Sequence, residues 1–345
     1  MNKTMWIFIL LVFPICAKAT YANPLKSHHV GIRQYSVFFQ PTKSEIKSIV
    51  WYPALVKAQK TKLGPYELEV AKNAEIENGK HNLVVISHGS RGSHLGHRDT
   101  AIYLAERGYI VISVLHPKNN YSDDSAGRTD ENWVNRPRHI SRVLDSILED
   151  NGYQDYINKD KIAVIGHSAG GYTALALVGG VPDTAAIGIH CRDHSDDSEF
   201  CGVFYSFYIK IKNFVSNRNT ESSHTLDNLY DQRIKAAVLL APLGVLFKDK
   251  ESLSRVNVPI LIYRAEKDEV LRYPYHAESI RKKLSITPEY IIVKNAGHYS
   301  FLSAFPNSIT SEIGAPAKDP EGFDRIQFHK NMNEEIAVFL TKSLR

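Results

Sequence analysis

The chain has few cysteines and little excess of charge of either sign. Its 345 residues include three cysteines, and 42 lysines and arginines nearly balance 37 aspartates and glutamates. The resulting net charge of +5 does not supply the dense basic patch that binding of a phosphate backbone needs, so we expect no nucleic-acid partner. A hydrophobic content of 43% is typical of a globular protein and excludes a disordered chain, a coiled coil and a polytopic membrane protein.

The sequence also has no apolar run near its start that is long enough to cross a membrane. The run at residues 6–16 has eleven residues, whereas a spanning helix needs about 20. Lys3 precedes this run and small residues follow it, which is the order of a secretory signal peptide. We therefore predict a signal peptide over residues 1–22, cleaved after Ala19 or Ala22. The mature protein is expected in the periplasm or the medium, without a stable membrane anchor.

Short apolar segments alternate with helical ones along the rest of the chain, and no internal repeat interrupts this order. Strands are predicted at residues 35–39, 48–52, 83–87, 109–115, 161–165, 235–240, 259–263 and 290–293. Helices are predicted at residues 99–107, 137–149, 169–178 and 326–344. Residues 57–82, rich in lysine and glutamate, are expected to form a solvated connection. Buried strands separated by helices predict one α/β domain over residues 23–345, with a mostly parallel sheet covered on both faces.

One segment, residues 181–232, does not fit this alternation. It places some fifty residues between a helix and a strand, and a structureless loop of that length is uncommon in a compact domain. Its aromatic residues are Phe200, Phe204, Tyr205, Phe207, Tyr208 and Phe214. We predict a cap or lid; the alternative is a peripheral insertion that packs its aromatics on the sheet edge.

Two cysteines, Cys191 and Cys201, remain after the predicted removal of the signal peptide. They stand ten residues apart, and in an oxidising compartment such a pair is expected to form a disulfide. Two free thiols are one alternative. The other is a metal site in which Cys191 joins His190, Asp193 and His194, although we predict no metal and no cofactor for the protein.

The strongest chemical signal is a G-x-S-x-G motif at residues 166–170, centred on Ser168. It directly follows a predicted strand and opens a predicted helix, which is the setting of a nucleophile elbow. The sharp turn exposes the serine hydroxyl and directs free N–H groups of the helix start toward developing negative charge. We predict Ser168 as the nucleophile, against the alternative of a serine that only caps a helix.

A serine nucleophile needs a base, and the base needs a carboxylate that orients it. In hydrolases of this architecture the chain order is nucleophile, acid and histidine. Asp268 lies in an acidic turn after the strand at 259–263 and is the predicted acid, with Glu266 and Glu269 as alternatives. His298 lies in a loop after the last strand and is the predicted base.

Two backbone N–H groups are needed to hold the oxyanion. We assign the N–H of Ala169, directly after the nucleophile, and the N–H of Ser90 in the glycine-rich loop at residues 88–92. A phosphate-binding loop is the alternative for this segment, but the lysine and the spacing of a P-loop are missing. The residues predicted to line the substrate pocket, besides aromatics of the cap, are His88, His167, Tyr299, Phe301 and Phe305.

Taken together, these motifs resemble the bacterial predicted dienelactone-hydrolase group related to platelet-activating-factor acetylhydrolases. Segments that carry the resemblance include S-H-G-S-R-G at 87–92, G-H-S-A-G-G at 166–171, G-H at 297–298 and G-F-D-R at 322–325. The resemblance implies an α/β-hydrolase fold and hydrolysis of carboxylic esters with small acyl groups. Two positions depart from it. True dienelactone hydrolases carry a cysteine where this chain has Ser168, and residues 241–242 hold no carboxylate where the animal acetylhydrolases place their acid.

The sequence therefore predicts an exported serine esterase whose partner is a small-molecule or lipid ester. A phospholipase or lipase is an alternative, in which the aromatic cap opens during transient contact with a lipid surface. Two further alternatives are a peptidase, because acyl-transfer chemistry is shared, and a non-catalytic binding protein on the same scaffold. No oligomeric state follows from the sequence.

Overall fold

The buried strands assemble into one mixed sheet. The computed structural model describes residues 27–202, 225–226 and 228–345; the predicted signal peptide and residues 203–224 of the predicted cap lie outside the described residues. The described strands are β1 (His29–Phe39), β2 (Ser44–Ala54), β3 (Gln59–Leu63), β4 (Tyr66–Lys72), β5 (His81–Ser87), β6 (Ile110–Val114), β7 (Ile157–His167), β8 (Ile234–Leu240), β9 (Ile260–Ala265) and β10 (Glu289–Val293). Their spatial order is β10-β9-β8-β7-β5-β6-β2-β1-β4-β3.

Six neighbouring strands of that order, β10, β9, β8, β7, β5 and β6, run parallel to one another. Central strand β5 pairs with β6 on one side and with β7 on the other. The predicted antiparallel opening pair is confirmed as β1 and β2, and β2 joins the parallel part through an antiparallel pairing with β6. Since the carboxyl ends of parallel strands meet at one edge, the loops after β5, β7, β9 and β10 come together there.

Helices cover both faces of this sheet. They are α1 (Arg98–Ala105), α2 (Asp130–Ile147), α3 (Ala169–Leu177), α4 (Ala185–Asp193), α5 (Ser198–Cys201), α6 (Ala277–Lys283), α7 (Thr310–Ile313) and α8 (Arg325–Ser343). Val143 of α2 and Tyr172 of α3 belong to the core on one face, and Leu104 of α1 and Ile336 of α8 belong to the core on the other. Within the described ranges, no helix combines the length and apolarity needed to cross a bilayer.

Two expectations about local structure are wrong. The segment 57–82 is not a solvated connection, because β3 and β4 form an antiparallel hairpin there. Lys60, Lys62, Glu67 and Glu69 are exposed on these strands, whereas Val70 of β4 is buried. Helix α2 begins at Asp130 rather than at Pro137, because the Thr129 hydroxyl caps it by accepting the N–H of Asn132 at 3.1 Å.

Candidate active site

Ser168 lies in the sharp turn between β7 and α3. Its backbone angles of φ 56° and ψ −118° are in a region that non-glycine residues rarely adopt, and hydrogen bonds to the end of β8 hold it there. The Ser168 N–H donates to the Leu240 carbonyl oxygen at 3.0 Å, and the Ser168 carbonyl oxygen accepts the N–H of Leu243 at 3.0 Å. Such strain persists where the surrounding structure over-determines it, which is common at functional sites.

The glycines of the motif allow the turn to pack this closely. A Cβ atom on Gly170 would lie 1.9 Å from the Ser87 carbonyl oxygen at the end of β5, and one on Gly166 would lie 2.0 Å from the Gly170 carbonyl oxygen. Both separations are below any real contact, so helix α3 reaches the sheet only because side chains are absent. The hydroxyl-bearing Ser168 is partly exposed, while the residues on either side of it are buried.

Asp268 and His298 form a buried pair at the carboxyl edge of the sheet. Asp268 lies in the turn after β9, and His298 opens a short 3-10 helix, His298–Phe301, after β10. The Oδ2 atom of Asp268 is 3.0 Å from Nδ1 of His298, with 3% and 5% of the His298 and Asp268 side chains exposed. The other carboxylate oxygen accepts the N–H groups of Val270 and Leu271 at 3.0 and 2.7 Å. The carboxylate is therefore fixed in orientation toward the imidazole.

The two alternative acids have other partners. Glu266 binds Lys294 Nζ at 2.7 Å and accepts the N–H of Asn295 at 2.8 Å. Glu269 accepts the backbone N–H of His298 at 2.9 Å. Asp268 is thus the carboxylate that contacts the imidazole, and its two neighbours hold the backbone of the loop that carries it.

The loop after β5 passes close to Ser168, the predicted nucleophile. A Cβ atom on Gly89 would lie 3.1 Å from the Cβ of Ser168, so the loop backbone and the serine are in contact. Ser90 of this loop lines the same cavity as Ser168 and Ala169. The N–H of Ala169 belongs to the first turn of α3, where helical N–H groups lack partners within the helix. The two predicted oxyanion donors therefore belong to residues that border one cavity.

That cavity has a volume of about 100 Å³ and mostly apolar walls. Besides Ser90, Ser168 and Ala169, its lining residues are Arg128, Trp133, Ile187, Phe200, Leu243, Val270 and Leu271. Ile187 and Phe200 come from α4 and α5, within the predicted cap. Phe200 is one of the cap aromatics predicted to line the pocket. Most of the other wall residues are not predicted from sequence, although Leu243 follows β8 and Val270–Leu271 follow the predicted acid, at the sheet edge where loops are expected to meet.

The five residues predicted to line the pocket are not among the described residues that line this cavity. Phe301 is fully buried and packs against Tyr263 and Phe328 in the core, so its role in substrate binding stays a prediction. Tyr299 and Phe305 are partly exposed, and the ring of Tyr299 lies 5.2 Å from that of His298.

The two predicted pocket histidines, His88 and His167, are buried and hydrogen-bonded within the protein. His88 contacts the Gly89 carbonyl oxygen at 2.6 Å through Nδ1 and accepts the N–H of His116 at 3.1 Å through Nε2. His167 contacts the His298 carbonyl oxygen at 3.0 Å through Nε2. Burial is the main cause that lowers the pKa of both well below the usual value. They are neutral at neutral pH, and a role for them in the substrate pocket stays a prediction.

The predicted disulfide between Cys191 and Cys201 is confirmed, and it ties α4 to α5 with a Cα–Cα distance of 5.3 Å. The alternative metal site loses its thiolate, because the sulfur of Cys191 is used in this bond. His190 Nε2 instead contacts Asp197 Oδ2 at 2.8 Å, and His276 Nε2 contacts the same oxygen at 2.9 Å. The wall formed by α4 and α5 is thus held covalently and by a buried carboxylate.

Comparisons with known proteins identify the fold and nothing narrower. No family model and no curated protein matches the chain. The structure is similar to that of a ferulic acid esterase from Streptomyces cinnamoneus, with a TM-score of 0.62 and 18% sequence identity over 95% of this chain and 92% of that chain. The chain has an α/β-hydrolase fold. Its resemblance to the dienelactone-hydrolase group stays a prediction.

Proposed function

We propose that this protein is an exported serine hydrolase that cleaves carboxylic esters with short acyl groups. The observation that carries the proposal is the strained placement of Ser168 on a cavity that Ser90 and Ala169 also border. The buried Asp268–His298 pair supplies the remaining types of a Ser-His-Asp triad, in the chain order expected for this fold.

The reaction uses the chain's own groups. Asp268 accepts a hydrogen bond from the Nδ1–H of His298 and stays ionised, which leaves Nε2 as the base that takes the proton of Ser168. The serine oxygen attacks the ester carbonyl carbon, and the N–H groups of Ser90 and Ala169 bind the oxyanion. Collapse of this intermediate expels the alcohol, which receives the proton from His298. A water molecule activated by His298 then hydrolyses the acyl-enzyme and releases the acid.

The size and chemistry of the cavity favour a short, uncharged acyl group. A volume of about 100 Å³ is small for a ligand pocket, and its aliphatic and aromatic walls favour an apolar group. The neighbour's name, ferulic acid esterase, supports ester hydrolysis as the reaction class, since the fold is shared. Export is supported by the disulfide, because such bonds persist in oxidising compartments.

A chain-length series tests the proposal. We expect p-nitrophenyl acetate or butyrate to be hydrolysed faster than the octanoate and laurate, and Ser168→Ala to lower kcat by about 10³-fold or more. A fluorophosphonate should label the wild type and not Ser168→Ala. Ser254→Ala is the matched control, because its hydroxyl lies in a separate turn and bonds to the Glu251 carbonyl oxygen.

Three outcomes would contradict the proposal. Equal labelling of wild type and Ser168→Ala would favour the non-catalytic scaffold. A maximum at the laurate, with higher activity on aggregated substrate, would favour a lipase. Faster cleavage of an anilide than of the matching ester would favour a peptidase.

A further inference from the structure

Arg136 is a fully buried cation with neutral hydrogen-bond partners. It lies in α2 with 0% of its surface exposed, and within the described part of the chain no carboxylate oxygen comes within 4.0 Å of its guanidinium nitrogens. Burying a charge without a counter-ion is costly. Burial lowers the pKa of Arg136 to about 9, so the group remains charged at neutral pH. A cost of this kind calls for a functional explanation.

One edge of the guanidinium holds the predicted oxyanion loop. The Nη2 atom donates to the carbonyl oxygen of His88 and lies 3.4 Å from the Ser87 hydroxyl. The His88 carbonyl belongs to the peptide directly before Gly89, and the next residue is Ser90, one of the two predicted oxyanion donors. The cation therefore fixes the backbone from which the Ser90 N–H is presented.

The same guanidinium reaches the second oxyanion donor through a threonine. The Nε atom of Arg136 lies 3.2 Å from the Thr173 hydroxyl, and that hydroxyl donates to the Ala169 carbonyl oxygen at 2.9 Å. Ala169 opens helix α3 and supplies the other predicted N–H. A single side chain thus connects the two backbone segments that border the cavity at Ser168.

The surroundings leave the positive charge largely uncompensated. The nearby imidazoles of His88, His116 and His139 have pKa values lowered first by burial and second by the charge of Arg136, so they are neutral. Nη1 donates to Asn119 Oδ1 at 2.6 Å, and Asn119 in turn donates to Asp124 Oδ1 at 2.6 Å. The nearest acid in this chain of contacts is therefore separated from the guanidinium by an amide.

We propose that Arg136 is a positioning residue for the oxyanion site. Its guanidinium holds the Ser90 and Ala169 backbone segments in fixed positions relative to each other and adds a permanent positive charge next to them. The inference rests on the proposed esterase function. The positive charge of Arg136 would stabilise the negative charge that develops on the substrate oxygen, and such electrostatic effects are strongest in a site of low dielectric. A purely structural arginine would affect folding alone.

Steady-state kinetics with p-nitrophenyl acetate, together with inhibition by a short-chain trifluoromethyl ketone, separate these roles. The ketone forms an anionic hemiketal with the serine and so reports oxyanion binding. We expect Arg136→Met to lower kcat by about 100-fold or more, with KM within 3-fold of the wild-type value. The inhibition constant of the ketone should rise by the same factor by which kcat/KM falls. Arg136→Lys should recover about 10-fold of the loss, because it keeps the charge. The exposed Arg138 of the same helix provides the control, Arg138→Met, which should match wild type.

A second variant keeps Arg136 and covers the case in which Arg136→Met does not fold. The exchange Asn119→Asp with Asp124→Asn preserves composition and the contact between the two side chains, but places a carboxylate next to the guanidinium. We expect kcat to fall by about 10-fold or more. The inference is overturned if either folded variant keeps kcat within 3-fold of an active wild type, or if only KM changes. A wild type that neither hydrolyses the ester nor reacts with a fluorophosphonate overturns the proposed function itself.

Discussion

Glu269 accepts the backbone N–H of His298 at 2.9 Å, while its neighbour Asp268 contacts the imidazole of the same residue. Two consecutive carboxylates of the turn after β9 therefore hold the main chain and the ring of one histidine. Their contacts differ in kind, because only the contact with Asp268 controls which ring nitrogen carries the proton. The two positions should respond differently to neutralisation.

Asp268→Asn is expected to lower kcat by about 10³- to 10⁴-fold, because an amide no longer holds the imidazole in the productive tautomer. Glu269→Gln is its matched control and should cost about 10-fold or less, since the amide oxygen still accepts the His298 N–H. Ester hydrolysis by both variants, with circular dichroism to verify folding, checks this. An equal loss in the two variants would assign the orienting role to the loop rather than to Asp268.

The order of strands and helices was predictable because buried parallel strands are short apolar runs that local pattern reveals. The hairpin at β3 and β4 was missed, since its lysines and glutamates made a half-exposed pair of strands look like a loop. The elbow at Ser168 was predictable as well, because its glycines are a local steric requirement. A Cβ atom at Gly166 or Gly170 would collide with neighbouring backbone.

The rest of the site depends on contacts between distant segments. Nothing in the sequence shows that Phe301 enters the core rather than lining a pocket, because an aromatic residue close to His298 fits either place. Asp268 has a side chain one methylene shorter than those of Glu266 and Glu269, and the backbone of the turn decides which of the three carboxylates meets the imidazole. Arg136 follows a polar helix start and reads as a surface residue until tertiary packing buries it.

Gly170→Ala is expected to destabilise the fold by about 3 kcal/mol, the upper range for overpacking. The added methyl would lie 1.9 Å from the carbonyl oxygen of Ser87, and relief requires α3 to move away from β5. Gly64→Ala is the control: it has no atom within 4 Å and a φ of +56°, so it should cost only about 1 kcal/mol. Urea unfolding measures both, and similar costs would contradict the close packing of the elbow.

Acid should weaken the attachment of α4 and α5 through Asp197. Burial raises the pKa of this carboxyl, but hydrogen bonds with His190 and His276 outweigh it and lower the pKa to about 2 from an ordinary 3.8. Because the folded-state value is below the unfolded one, the stabilisation is complete above about pH 4 and is lost as the pH falls toward 2.

This shift corresponds to about 2 kcal/mol of stability. Asp197→Asn should therefore be less stable than wild type by about this amount at pH 6, and the difference should shrink at pH 2.5 in urea unfolding. The exposed Asp193, which pairs with Arg192 at the surface, supplies the control Asp193→Asn. A difference between Asp197→Asn and wild type that is the same at both pH values would show that the carboxylate does not titrate as described.

Ile187→Ala should widen the proposed acyl cavity and change substrate preference. The side chain is 5% exposed and lines the cavity from α4, so its truncation leaves room for additional methylene groups. Since one methylene in an apolar pocket changes kcat/KM by about 10- to 200-fold, the ratio of hexanoate to acetate hydrolysis should rise by about 10-fold or more. Ile189→Ala, on the same helix but 37% exposed, should keep the wild-type ratio.

The assay temperature must lie well below the unfolding temperature, because loss of a buried isoleucine costs about 2–5 kcal/mol of stability. An unchanged ratio in a folded Ile187→Ala variant would mean that α4 does not border the acyl group during the reaction, and that the acyl chain occupies another part of the site.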